Sequence, residues 1–104
     1  MKDSKGRWTV NKTLGIMGLA RRAGKLLIGH DAVLLSVRRG KALVVILTSD
    51  ASVRHKRELE AAGFSGRILI LGETMEEAGY ALGKKSCIFA LEDEGFAKAT
   101  EKSD

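Results

Sequence analysis

The sequence predicts an α/β protein: one three-layer α/β/α sandwich built on a four-stranded sheet, mostly parallel or mixed. Two observations carry that prediction. Short, continuous apolar runs alternate with longer segments of helical period, the pattern of strands covered by helices on both faces. A glycine follows the helical segments at Gly24, Gly40, Gly63 and Gly83, where a helix ends in a left-handed turn.

The elements follow in order. Residues 12 to 23 read as a first helix that Thr13 can cap, and "LLI" (26 to 28) as a short strand. Asp31 is placed to cap a second helix over 31 to 39, which leads into the strand "LVVIL" (43 to 47). Asp50 or Ser52 caps a third helix over 52 to 62, followed by the strand "ILIL" (68 to 71). Thr74 caps a fourth over 74 to 82, "CIFAL" (87 to 91) forms the last strand, and a short fifth helix follows Asp93. Proline is absent, so glycine does the stopping. Residues 1 to 10 and 101 to 104 are polar enough to fray.

A chain of 104 residues has the size of one self-sufficient domain. Its single cysteine, Cys87, excludes an intramolecular disulfide framework. No window has the length and apolarity of a membrane span, and "MKDSKGRWTV" lacks the apolar core of a signal peptide; a cytoplasmic protein is expected. Lys and Arg number 18 against 13 Asp and Glu, a net charge of +5, which suits a polyanionic partner. "ARRAGK" (20 to 25), "VRRGK" (37 to 41) and "VRHKR" (53 to 57) are basic, whereas "GETMEEAG" and "LEDEG" are acidic, so one side of the fold is expected to be positive. The basic run at 53 to 57 sits on the first turns of its helix, where cations meet the positive end of the macrodipole.

Catalytic chemistry finds little support. Cys87 leads an apolar strand, where free cysteine behaves as a small hydrophobe. Two histidines and one cysteine without paired spacing do not make a metal site. His30 and Asp31 are neighbours at a turn and diverge, with no serine or second carboxylate in a triad-like role. Neither a Walker motif nor GxGxxG is present. The expectation is a non-enzymatic protein without metal or cofactor. Trp8 and Phe96, at opposite ends of the chain, are expected to pack the termini.

The stretch "LGIMGLARRAGKLLIGHDAVLLSVRRGKALVVILTSDAS" (14 to 52) combines LARRAGK, a glycine-led turn, a helix ending in R-x-GKA, an apolar strand and D-A-S. In that combination it resembles the L-seven-Ae family of ribosomal proteins and, more closely, its bacterial YlxQ branch. "ALGKKSCIFALEDEGFA" (81 to 97) continues the likeness with an LGK turn, an apolar strand and a D-x-GFA ending.

The resemblance implies a monomeric, ribosome-associated module that recognises kink-turns, sharply bent RNA loops flanked by sheared G·A pairs. It also implies that RNA lies against Gly29, His30 and Asp31 in the first turn and Lys84, Lys85 and Ser86 in the loop before the last strand. Ser52, closing the first block, is grouped with them. Gly29 lets a nucleotide approach the backbone, Asp31 suits base amino and imino donors, and His30 suits stacking or donation. Arg21, Lys25, Arg38 and Lys41 are the expected phosphate contacts. Archaeal members carry Asn-Glu and a lysine where this chain has Asp31, Ala32 and Leu35, and an apolar loop where it has Lys84 to Ser86. The alternatives are a protein-interaction module of the same fold and a small nucleotide-binding α/β domain.

Overall fold

The computed structural model describes residues 12 to 102. Trp8 and most of the two tails expected to fray lie outside that range. Within it the chain runs α1 (Lys12–Arg22), β1 (Leu26–Ile28), α2 (His30–Arg38), β2 (Val44–Leu47), α3 (Val53–Ala61), β3 (Arg67–Ile70), α4 (Met75–Leu82), β4 (Ile88–Leu91) and α5 (Glu94–Lys102). Residues 101 and 102, expected to fray, belong to α5, where Glu101 pairs with Arg67.

The sheet is mixed, in the order β1-β4-β2-β3. β4 runs antiparallel to both β1 and β2, and β2 pairs parallel with β3. Each central strand is buried on both faces and feeds two cores by strict alternation. Val44, Ile46, Phe89 and Leu91 face Met17, Ala20, Ala78, Leu82 and Ala97 of α1, α4 and α5. Val45, Leu47, Ile88 and Ala90 face Val33, Leu34, Val37 and Leu59 of α2 and α3. The result is the expected three layers, and Phe96 packs against the first core. β3 departs from the expectation of full coverage: it is an edge strand, and its Ile70 is exposed.

The helix starts include two corrections. Thr13 is not a cap; it lies inside α1 and is buried. Asp31 is not one either: Gly29 is the N-cap of α2, at φ 105° and ψ 156°, without a side-chain cap hydrogen bond. Ser52 caps α3, accepting from the Arg54 amide at 3.1 Å. At α4, Thr74 and Glu77 form a reciprocal capping box, with bonds of 3.2 Å and 3.0 Å, which satisfies two otherwise orphaned donors.

Antiparallel and parallel pairing together give the sheet two distinct ends. At the near end β1, β2 and β3 finish and β4 begins, because Ile28 pairs with Phe89 and Leu47 with Ile88 and Ile70. At the far end Leu26 and Val44 both pair with Leu91.

Candidate functional site

The near end gathers four loops. The Gly29 amide donates to the Ile88 carbonyl at 3.1 Å, the Thr48 amide to Cys87 at 3.0 Å and the Ser49 amide to Glu73 at 2.8 Å. The backbone thereby ties the turn after β1 to the start of β4, and the 48–52 loop to both the 84–87 loop and the 71–74 loop. Gly29, His30, Asp31, Ser52, Lys84, Lys85 and Ser86 all belong to this end.

At the Gly29 turn the backbone is accessible. A Cβ built at Gly29 meets no heavy atom within 4 Å, so the positive φ and not crowding requires glycine. The Val33 amide closes the first helical bond onto the Gly29 carbonyl at 3.1 Å. The preceding amides open a helix that no side chain caps, and such amides are natural donors to an anion or a base acceptor. Asp31, the second helical residue, leaves its carboxylate wholly in solvent, with a side-chain exposure of 104%.

His30 is held from both sides. Its Nε2 lies 2.7 Å from Glu58 Oε2 on α3 and its Nδ1 lies 3.3 Å from Asp31 Oδ1. These two carboxylates, Glu58 first, raise the imidazole pKa above its ordinary value, and the bond to His30 in turn lowers that of Glu58. Arg54 Nε sits 3.8 Å from the other Glu58 oxygen. His55 stands edge-on to His30, ring centroids 6.0 Å apart, and its Nε2 is 3.6 Å from Cys87 Sγ. In the sequence His55 is one member of a basic run; in the fold it turns inward and links α3 to the start of β4. Among the described residues no group of His, Cys, Asp and Glu side chains forms a metal site.

The 84–87 loop is built more tightly. The backbone and stem of Lys85 pack over Gly79 of α4, where a Cβ would lie 2.9 Å from Lys85 Cα and 2.7 Å from its Cγ. The Lys85 ammonium pairs with Glu76 at 3.1 Å. The Ser86 hydroxyl bonds both the amide and the carbonyl of Ile88, at 3.2 Å and 2.8 Å. Lys84 is exposed.

The cations expected to touch phosphate are divided. Arg21 reaches the near-end loop, its guanidinium 4.0 Å from the point where a Gly83 Cβ would stand. Arg38, in the last turn of α2, lines a groove with Leu34, Glu58, Ala61 and Ala62. Lys25 and Lys41 lie at the far end, beside the Leu26 and Leu43 segments that pair or bond with Leu91. By face, the basic runs at 37 to 41 and 53 to 57 go with α2 and α3 on one side of the sheet and the acidic runs with α4 and the start of α5 on the other; by end, the signs mix. The basic run at 53 to 57 shares the near end with the acidic start of α4, and Lys25 and Lys41 share the far end with Glu92, Asp93 and Glu94. The reversal of β4 against its neighbours is what carries the acidic 92–94 turn to the far end.

The structure adds Glu58, Arg54 and His55 to the site. Only their position in a basic helical run marks them in the sequence; the 28-residue separation of His30 and Glu58 leaves no local pattern to read.

Five helices among the described residues, packed around this mixed sheet with a glycine-led turn at one end, define an α/β/α sandwich module. No protein-family model matches the chain. It is 32% identical over 93 residues to the RNA-binding protein YlxQ of Enterococcus faecium, covering 88% of this chain and 89% of that protein. Against the RNA-binding protein YlxQ of Bacillus subtilis (strain 168) it is 32% identical over 84 residues, 79% of this chain and 84% of that one. The chain belongs to the YlxQ family. A Bacillus halodurans C protein of unknown function superposes with a TM-score of 0.80 at 30% identity, over 90% of this chain and 97% of that one. The Giardia lamblia 15.5kD RNA binding protein shares the fold, with a TM-score of 0.69 at 16% identity over 88% of this chain and 81% of that one.

Proposed function

We propose that this protein is a non-enzymatic RNA-binding protein that recognises kink-turn-like structured RNA, in association with the ribosome, through the near end of its sheet. The observation that carries the reading is the Gly29 turn in a chain that belongs to the YlxQ family. There an open glycine backbone, an uncapped helix start and a solvent-facing carboxylate at Asp31 lie side by side.

The chemistry assigns roles within that turn. A bent RNA presents base edges that a duplex hides, and guanine N1 and N2 or the adenine amino group are donors that a carboxylate accepts. Asp31 is that acceptor. Its negative charge counters the helix dipole, so phosphate is steered away from the turn's centre and toward Lys84, Arg21 and the Arg54 to Arg57 run. Lys25 and Lys41, at the far end, lie beyond a ligand centred on Gly29. Leu35, half exposed one turn after Asp31, offers apolar surface instead of a cation.

That exposed leucine favours the second reading, a protein-interaction module of the same fold. Titration of a kink-turn RNA and a straight duplex of equal length, each at two salt concentrations, separates the two. The RNA reading predicts tighter kink-turn binding that persists at the higher salt, because base contacts depend less on counterion release than phosphate contacts do. Equal affinities that fall together with salt contradict it.

A further inference from the structure

We propose that Glu58, on α3, is a positioning residue for the Gly29 turn: it clamps His30 so that His30 in turn orients the Asp31 carboxylate toward RNA. The inference rests on the functional reading above and assigns a role to a residue outside the turn itself.

The geometry is a chain of three side chains. Glu58 Oε2 accepts from His30 Nε2 at 2.7 Å, and His30 Nδ1 faces Asp31 Oδ1 at 3.3 Å. Carboxylates only accept, so both contacts are hydrogen bonds at once when both ring nitrogens carry protons. The imidazolium therefore completes the chain, and a neutral ring donates to one carboxylate and releases the other. The clamp has a firm end and a free end. The Glu58 side chain is 31% exposed and anchored on a helix, whereas that of Asp31 is 104% exposed; without His30 nothing shown in the structure fixes the Asp31 rotamer. A carboxylate already oriented loses less conformational freedom when a base docks.

Other charged and titratable groups face the clamp from each packed element. Arg54 of α3 lies 3.8 Å from Glu58 Oε1, which has no hydrogen-bond partner. Arg38 of α2 lines the same groove as Glu58. The His55 ring stands 6.0 Å from His30 and leads on to Cys87 at β4. The Arg54 charge favours the ionised form of Glu58. The two carboxylates bonded directly to His30 outweigh the cost of its desolvation, in line with its raised pKa.

The test compares wild type with Glu58→Gln and Glu58→Ala. Titration of the His30 ring protons by NMR reads the clamp. Anisotropy with a labelled kink-turn RNA, at about pH 6 and about pH 8.5 on either side of the ordinary histidine value, reads its consequence. Wild-type affinity is expected to fall about fivefold or more with rising pH, the low end of linked-equilibrium couplings. Both variants are expected to lower the His30 pKa, flatten the profile and bind at about pH 6 as weakly as wild type does at about pH 8.5. Thermal melts check that the variants fold. Kink-turn binding by wild type with the same pH profile in Glu58→Gln overturns the clamp and leaves the functional reading standing. No kink-turn binding by wild type at either pH overturns that reading, and this inference with it.

Discussion

Asp50 Oδ1 accepts the Met75 amide at 2.9 Å, fastening the loop after β2 to the first turn of α4 across 25 residues of sequence. The same oxygen accepts from the Thr48 hydroxyl at 2.8 Å. These bonds, Thr48 first and Met75 second, hold the Asp50 carboxyl below its ordinary pKa. A carboxyl whose folded pKa is depressed contributes stability above its unfolded value and loses it as pH falls through the folded one. Asp50→Ala is therefore expected to lower the melting temperature at neutral pH. The gap to wild type should close as the pH drops below the ordinary carboxylate range, which melts by circular dichroism across an acid series would show.

Gly29→Ala tests the turn. The added methyl meets open space, but alanine is strained at a φ of 105°, a cost of about 1–3 kcal/mol for a sparsely populated backbone region. Chemical denaturation should show that loss, and the reading of the turn adds weaker kink-turn binding by the variant under conditions where it remains folded.

Gly79→Ala probes the support of the 84–87 loop. The new Cβ meets backbone, Lys85 Cα at 2.9 Å, so the loop must move. A destabilisation of about 1–3 kcal/mol is expected from overpacking, with altered amide shifts at Lys84 to Cys87. Unchanged shifts there would mean that α4 yields instead.

Asp31→Ala separates recognition from folding. Because Gly29 and not Asp31 is the cap and the carboxylate is in solvent, stability should stay within about 0.5 kcal/mol of wild type. Preference for a kink-turn over a duplex should fall by about 1–3 kcal/mol, the worth of a good base contact. A melting loss typical of a removed cap, without change in RNA preference, would contradict the role assigned to this carboxylate.

What the sequence makes legible here is local. The continuous apolar runs "LVVIL" and "CIFAL", and glycines at the helix ends, locate the strands and helices to within a residue or two. The Asp31 cap fails for a local reason as well. Capping needs extended backbone at the capping residue, and the positive φ of Gly29 starts the helix one residue earlier than the polar pair suggests. The rest is set by tertiary contacts. Ser52 and Asp50 look like interchangeable caps for α3, yet only Ser52 caps it, and Asp50 turns to α4. The His30–Glu58 contact and the inward turn of His55 depend on how α2 and α3 cross one face of the sheet. The division of the cations depends on the common direction of β1 and β2, which leaves Lys25 and Lys41 before those strands at one end and the 53–57 run after β2 at the other. Neither leaves a spacing that a sequence displays.

The most direct measurement of the central claim is fluorescence energy transfer across a kink-turn RNA labelled at the ends of its two arms, titrated with the protein in buffer without divalent ions. Recognition of the bent form predicts that transfer rises to a plateau with wild type and that Asp31→Ala needs more protein to reach it. Saturable binding with no rise in transfer would contradict the claim, since the near end would then be holding RNA by charge without selecting its bend.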